Sequence, residues 1–571
     1  MRLFPGLSTP DLILLHAPSV YDFRKLSHFL GPISDVIPST PVFEMYPIGF
    51  SSIAEYLNKH GIGVRIINLA FRMLDDPEFD VEAMLKKLSP RAFGIDLHWL
   101  PHAQGSLEVA SICKKYHPDI PVIFGGLSAT YFHEELIRYP EVDFVVRGDS
   151  TEEPVLRLMQ QIMGQGNFAD IPNLTWKTDS GTVRVNDHTY LPAELNGCSN
   201  NYKNLFKMAV RYLDFKSLTA IHDWWQYPIT AVMTCRGCTQ NCAICGGSNY
   251  ALRNYASRQR PAYRAPSLVA QDIRQIQRFT TAPIFVVGDL LQPGEDYARE
   301  VFRGLKDLKI KNQLVLELFQ PAPEAFFDQV AKVLPNFNFQ ISPESHDETI
   351  RAAAGKFYKN VDMENNIRWA LERGCQRFDV FFMIGLPYQT YQSVMETIDY
   401  CGSLLQRFGN RLAPFISPLA PFVDPGSLVY ENPERFGYRI FYKTLEEHRQ
   451  ALLEPSWKYV LNYETRWLDR EKIVQCTYEA GRRLNELKLQ YGLINKQTYQ
   501  EISRKIALAL EIHNEMEQFY DTEAQRQVLQ KSRLKMKSMS MTTLYEKDEL
   551  RWPVLKKGFK FMNIIKAILL E

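Results

Sequence analysis

The stretch CRGCTQNCAICGG, Cys235–Gly247, packs four of the chain's nine cysteines into eleven residues. It begins where the run PITAVMT (228–234) stops, and that run reads as a buried β-strand. Ribbon-type zinc sites take two cysteine pairs from separate turns, usually about a dozen or more residues apart. Here the pairs Cys235/Cys238 and Cys242/Cys245 are separated by three residues, a spacing from which a mononuclear tetrahedral site is hard to fold. A larger inorganic core, an iron–sulfur cluster, is easier to wrap in one short loop, and thiolates are its usual ligands. Cys238, Cys242 and Cys245 have the spacing C-x3-C-x2-C. Three thiolates hold three irons of a [4Fe–4S] cube and leave the fourth open to a substrate or cofactor. Cys235 reads as a strand-end residue beside the loop, because a fourth thiolate would close the cluster.

Outward from the loop, strands are expected at about 229–234, 283–288, 313–319, 336–342, 378–384 and 412–418, with helical segments such as SLVAQDIRQIQRF between them. Six strand–helix units in series imply a partial parallel barrel over 227–420, with its chemistry at the carboxyl ends of the strands. Upstream, residues 1–165 also alternate: strands DLILLHA (11–17), VRIINLA (64–70), RAFGIDLHW (91–99), PVIFGG (121–126) and VDFVVRGD (142–149), with helices at 48–61, about 103–117 and 151–163. That pattern means a doubly wound, Rossmann-like parallel sheet. The fold class is therefore α/β. Residues 166–226 read as a connector, and 421–571 as a mainly helical region, with helices such as 469–492 and 496–520. Asp424, Tyr430, His448, Trp457 and Trp467 in it read either as a cover for the barrel mouth or as the core of a helical cap. The tail VLKKGFKFMNIIKAILLE (554–571) is basic and apolar together, so it reads as a docked terminal helix or as a peripheral membrane contact.

The totals are those of a soluble globular chain. Of 571 residues, 45% are hydrophobic and 23% charged, and the formal net charge is +1, which gives no basic excess for nucleic acid. No signal peptide and no transmembrane run is read, so the expected location is the cytoplasm. Cys113, Cys375 and Cys401 lie in apolar-periodic segments and read as buried small hydrophobes.

The cysteine loop at the end of the first barrel strand resembles the signature of the radical S-adenosylmethionine (SAM) superfamily. FVVGDLL (285–291), ISPESHDETIRAAAGKFYKN (341–360) and FFMIGLPYQT (381–390) resemble the later segments of its cobalamin (B12)-dependent branch. HAPS, YPIGFSSIAEYLNKHGIGVRIINL, VIFGGLSATYFHEEL and PEVDFVVRGDSTEEPVLRL resemble that branch's cobalamin-binding domain. The resemblance covers roughly residues 1–420. It implies a [4Fe–4S] cluster on Cys238, Cys242 and Cys245, SAM near Asp289, Glu344 and Ser345, and cobalamin near His98, Gly125, Gly126 and Ser128. The segment Asp96–Pro101 mimics the D-x-H-x-x-G motif of a cobalt-ligating histidine. It has proline for the glycine and follows the third strand rather than the first, so a family-type axial histidine is read as missing.

What the resemblance implies is an enzyme. Reductive cleavage of SAM would give a 5′-deoxyadenosyl radical that takes hydrogen from an unactivated carbon, and methylcobalamin would then deliver a methyl group. The alternatives are a non-methylating ring-forming or rearranging enzyme, or a corrinoid- or redox-sensing binding protein. The expected partners are a small-molecule substrate, lipid or tetrapyrrole-like, and an electron donor such as flavodoxin or ferredoxin. An RNA-modifying role is disfavoured by the neutral charge balance.

Overall fold

The computed structural model describes the chain except residues 1–8, 27, 30, 35–38, 165, 179, 420–421, 520, 537–543, 555–557 and 570–571. The expected boundary at 420/421 and part of the basic–apolar tail thus lie outside the described residues.

The first sheet contains β1 (Leu12–His16), β2 (Val64–Asn68), β3 (Ala92–Asp96), β4 (Val122–Gly125) and β5 (Phe144–Val146), all parallel. Their order, β2-β1-β3-β4-β5, is that of a doubly wound sheet. The period-two alternation of a strand explains its two faces. Leu12 and Leu14 join one core cluster with Phe50 and Ala54 of helix Ile48–Lys59 and Leu158 of helix Glu152–Ile162. Ile13 and Leu15 join the other, with Leu107 and Cys113 of helix Ala103–Tyr116. The segment expected as a connector does more than connect. Its β6 (Leu174–Lys177) and β7 (Val183–Val185) extend this sheet antiparallel, and helix Tyr202–Arg211 packs Leu205, Phe206 and Met208 into the sheet's first cluster.

The second sheet bears out the six-strand reading. After β8 (Thr230–Met233), the short β9 (Cys235–Arg236) pairs antiparallel with β10 (Ala262–Tyr263). Then β11 (Ile284–Val287), β12 (Leu314–Leu318), β13 (Phe337–Glu344), β14 (Phe378–Ile384) and β15 (Leu412–Pro418) follow in spatial order β8-β11-β12-β13-β14-β15, all parallel. β15 and β8 are the two ends of this sheet, so it is a partial barrel. Leu314, Leu316 and Leu318 join the core under the outer helices, which leaves Val315 and Glu317 on the inward face.

The C-terminal region is mainly helical, as expected. It also holds a two-stranded sheet, β16 (Tyr438–Ile440) with β17 (Tyr463–Thr465). Helix Arg470–Gln490 lies on helix Tyr391–Phe408 and on β15. Trp457 is wholly buried and donates its indole N–H to the Tyr478 hydroxyl at 3.1 Å; His448 is buried as well, so both are core groups. Residues 544–553 form a strap across the amino-terminal ends of the barrel strands. Trp552 donates its indole N–H to Asp379 Oδ2 at 2.9 Å, Gln313 Nε2 donates to the Pro553 carbonyl at 2.7 Å, and the Tyr545 hydroxyl accepts the Ile416 N–H at 2.6 Å. Among the described residues, no helix is long and apolar enough to cross a membrane.

Candidate active site at the junction of the two sheets

The cysteine loop is built by local geometry that tolerates few substitutions. β8 ends where the Thr234 hydroxyl donates to the Val287 carbonyl at 2.8 Å. Gly237 turns the chain at φ +93°, and a Cβ there would lie 2.9 Å from the Pro261 Cα, so the turn requires glycine. The loop is tied down on its far side by Asn249 Nδ2 to the Cys238 carbonyl at 3.1 Å and by Ala243 N–H to the Ala354 carbonyl at 2.9 Å. Ser248 caps the following helix, Asn249–Tyr255.

The Cys238, Cys242 and Cys245 side chains are partly buried. Burial pushes the Cys238 thiol up to about 11, and the neighbouring Cys242 and Cys235 thiols add to the effect. Burial also raises Cys245, with Asp424 and Cys242 adding to it, and raises Cys242, where the Lys356 ammonium opposes the rise. Backbone N–H groups of Gln240 and Gly247 donate to the Cys238 and Cys245 sulfurs, each at 3.3 Å. Thiols held protonated in this way release protons when a metal takes them as thiolates. Among the described residues, only two groups bring three histidine, cysteine or carboxylate ligand atoms within 4.8 Å of one another, and neither contains a cysteine. Three partly buried thiols spaced too widely for one ion, on one short loop, fit a multi-iron core. Cys235 also lies near Cys238 but stands in β9, where its sulfur accepts from Gln292 Nε2 at 3.5 Å and would touch a Cβ on Gly288.

The three residues expected near SAM do not share one role. Asp289 turns its carboxylate into its own turn and the next strand end, accepting from Leu291 N–H and Phe319 N–H at 2.8 Å each; burial raises it to about 6. Ser345 is wholly buried, and its hydroxyl accepts the Asp347 N–H at 3.1 Å. Glu344 stands at φ +67°, after a register shift in β13, and pairs with the Lys356 ammonium at 2.5 Å. Its Oε2 is buried with no hydrogen-bond partner, and Glu344 lies close enough to Cys242 to raise its thiol. Of the three, Glu344 is the one with a buried oxygen that has no hydrogen-bond partner, beside the thiols.

Sequence reasoning missed Glu317. Its carboxylate accepts the Gly288 N–H at 2.9 Å and Gln340 Nε2 at 2.8 Å, both neutral donors, and burial raises its pKa. The available signal was one acid in the otherwise apolar run LVLELF. Asp424 also belongs to the site, accepting the Gly246 N–H at 3.0 Å beside Cys245.

The carboxyl ends of the first sheet line a cavity of about 400 Å³. Its walls include Gly94, Gly125, Gly126 and His98 on one side and Arg236, Gly237 and Gly247 of the cysteine loop on the other. Two of these positions require glycine for packing: a Cβ on Gly94 would meet Leu14 at 2.6 Å, and one on Gly126 (φ +117°) would meet the His98 Cα at 2.3 Å. Ser128, with His98, Gly246 and Asp424, lines a smaller adjoining cavity of about 60 Å³. His98 Nδ1 lies 2.6 Å from Asp96 Oδ2, and the same carboxylate meets His16 Nδ1 at 3.1 Å. Burial opposes ionisation of Asp96, but His16 and His98 hold it well below the usual carboxylate range. No histidine follows β1 within its first turn; His98 comes from the end of β3.

A third cavity, about 610 Å³, fills the barrel interior. Phe285, Glu317, Phe381 and Phe415 line it from the strands, Trp552 from the strap, and His98 from the first sheet. His98 thus borders all three cavities. Two ion pairs fix the junction: Arg236 to Glu152 at 2.7 Å, and Arg258 to Asp149 at 2.8 Å.

Comparison with known proteins agrees with this architecture. Residues 35–156 match the B12 binding domain family and residues 232–401 the radical SAM superfamily. The chain is 21% identical over 299 residues to cytidylyl-2-hydroxyethylphosphonate methyltransferase of Streptomyces wedmorensis, covering 46% of this chain and 54% of that protein. It is 23% identical over 256 residues to anaerobic magnesium-protoporphyrin IX monomethyl ester cyclase of Synechocystis sp., covering 44% and 46%. The chain spans about half the length of these curated relatives. The fold is shared with the radical SAM methyltransferase TsrM from Kitasatospora setae, solved with cobalamin and a [4Fe–4S] cluster (TM-score 0.53, 16% identity, 76% of this chain and 78% of that one). It is shared also with the cobalamin-dependent SAM radical enzyme OxsB, solved with aqua-cobalamin and SAM (TM-score 0.53, 12% identity, 98% of this chain and 78% of that one). A match to the B12 binding domain family is thus followed in this chain by a match to the radical SAM superfamily, on a fold shared with cobalamin-binding radical SAM structures.

Proposed function

We propose that the protein is a cobalamin-dependent radical SAM enzyme that functionalises an unactivated carbon of a small molecule, with methyl transfer as its outcome. The observation that carries this reading is the shared junction: the cysteine loop, the glycine-lined cavity of the first sheet and the barrel cavity adjoin, with His98 bordering all three cavities. When bound, the cluster and SAM supply a reductive carbon–sulfur cleavage that yields a hydrogen-abstracting radical, and cobalamin supplies a methyl carrier.

The chain's own residues divide the work. Cys238, Cys242 and Cys245 give up protons and hold the cluster. Glu344, held by the Lys356 ammonium, offers its free oxygen to SAM. The Gly94, Gly125 and Gly126 backbone lets a large ring approach the strand ends, with His98 and Ser128 beside it. The aromatic walls of the barrel suit an apolar or planar substrate, lipid or tetrapyrrole-like in character, and Glu317 suits a hydrogen-bond donor on it. The Arg236–Glu152 contact closes the junction beside the cysteine loop, and the Trp552 strap closes the barrel cavity at the opposite, amino-terminal end of the strands. The electron comes from a protein donor of the flavodoxin or ferredoxin kind.

The test is anaerobic. Protein reconstituted with iron, sulfide and hydroxocobalamin is given SAM and a strong reductant, and the nucleoside products are measured by mass spectrometry. The expected products are 5′-deoxyadenosine and cobalamin-dependent S-adenosylhomocysteine. Deoxyadenosine alone would replace methyl transfer with ring formation or rearrangement. Neither product, with a full cluster and with extract of the source cells added, would overturn the enzyme reading in favour of a corrinoid- or redox-sensing protein.

A further inference from the structure

We propose that the C-terminal helix Phe561–Leu569 docks the protein on the surface of an anionic lipid bilayer. The helix is held by one side. Ile564 is buried in the core cluster that contains Phe206 and Phe279, and the helix packs on helices Tyr202–Arg211 and Pro266–Phe279. The segment before it is stapled down: Thr281 N–H donates to the Gly558 carbonyl at 3.0 Å and Lys560 N–H to the Phe279 carbonyl at 2.7 Å. Asn563 Nδ2 adds a bond to the Arg278 carbonyl at 2.9 Å. The orientation of the helix is thereby fixed.

The other side is apolar and open. Phe561 is 63% exposed, Met562 66% and Ile565 48%. With exposed Lys566 they stand at i, i+1, i+4 and i+5, one face of a helix. Trp225, 42% exposed, continues the patch through ring contact with Phe559 at 5.1 Å. Large aromatic and aliphatic groups held outward on a fixed helix match the depth of a headgroup–acyl boundary, where tryptophan is favoured.

Charge selects the occupant. Lys566 lies on the face, and the exposed Lys311 stands near Lys560, whose ammonium donates to the Gln277 carbonyl at 2.6 Å. Cations edging an apolar face complement anionic headgroups, whereas a second copy of the chain would bring the same cations against themselves. The position also has a consequence for access. Phe559 packs on Trp224 at 5.1 Å and on Phe206 at 6.5 Å, and both of those residues line the barrel cavity. Phe559 thus stands between the docking face and rings that line that cavity.

The test uses the full-length, cofactor-loaded protein and flotation with vesicles. Wild type is expected to float with equimolar phosphatidylglycerol–phosphatidylcholine vesicles at low salt, to stay behind with phosphatidylcholine alone, and to be released by high salt. The combined substitution Phe561→Glu, Met562→Glu and Ile565→Glu should weaken vesicle binding by about tenfold or more. Its iron content and thermal midpoint verify that the fold is kept. A second variant, Lys566→Glu with Lys311→Glu, should lose most flotation and its salt dependence, and it decides the matter if the first variant does not fold. Flotation equal to wild type in the variants would overturn the proposal. So would a wild type that ignores vesicles but self-associates through this face, losing that association in the apolar variant.

Discussion

The Arg236 guanidinium meets the Glu152 carboxylate at 2.7 Å, and this contact joins the cysteine loop of one sheet to a helix of the other. Burial alone would raise the Glu152 carboxyl. Arg236 and the Ser52 hydroxyl instead hold it at about 2, from an ordinary 4.5. Glu152→Ala would strand a buried guanidinium, at a cost of roughly 3–5 kcal/mol measured by chemical denaturation. Because the folded pKa is depressed, the stabilisation is complete above pH 4.5 and is lost as pH falls toward 2, amounting to about 3 kcal/mol. Glu152→Gln should lack that acid-side decline. Equal pH slopes in the two proteins would contradict the pairing.

The cysteines should divide three to one. Cys238→Ala, Cys242→Ala or Cys245→Ala should each abolish stable iron and sulfide binding, whereas Cys235→Ala should keep both. Iron and acid-labile sulfide per chain decide it. Loss of iron in the Cys235 variant would mean that its sulfur, now beside Gly288 and Gln292, is a ligand.

Gly126 adopts φ +117°, and any side chain there meets the His98 backbone. Gly126→Ala should cost on the order of 1–3 kcal/mol in stability and displace His98. Retention of hydroxocobalamin through gel filtration should fall, with cluster content unchanged. Full retention would remove the β4 end from the proposed cobalamin site.

Much of this was legible in the sequence, for identifiable reasons. Eleven parallel strands could be placed because buried strands such as LILLH and VRIIN are short apolar runs ended by polar or turn residues. β6 and β7 could not, because LTWK and VRV are short and partly or fully exposed, so no apolar alternation marks them. Asp289 was read as a ligand because it ends a strand. Its carboxylate accepts two backbone N–H groups of the loops it joins, a use that spacing does not reveal. Glu317 and the Trp552 strap are long-range placements: Trp552 reaches Asp379 across 173 residues, and no local pattern announces it.

Trp552 closes the amino-terminal end of the barrel, with its ring 5.8 Å from Phe285 and its N–H on Asp379. Trp552→Ala should lower stability by about 3 kcal/mol, the low end for a large aromatic since the ring also borders the cavity. It should also raise unproductive SAM cleavage by admitting water. A variant with wild-type stability and wild-type coupling of deoxyadenosine to product would contradict the role given to the strap.

The most direct test of a single junction for both metallic groups is electron paramagnetic resonance of the reconstituted protein holding cob(II)alamin and the reduced cluster together. Gly125 and Gly247 line the same cavity, so the two spins should interact. The expected result is a split or broadened cob(II)alamin signal that returns to its isolated form when the cluster is oxidised or when Cys238→Ala removes it. A cob(II)alamin signal indifferent to the state of the cluster would contradict the shared site.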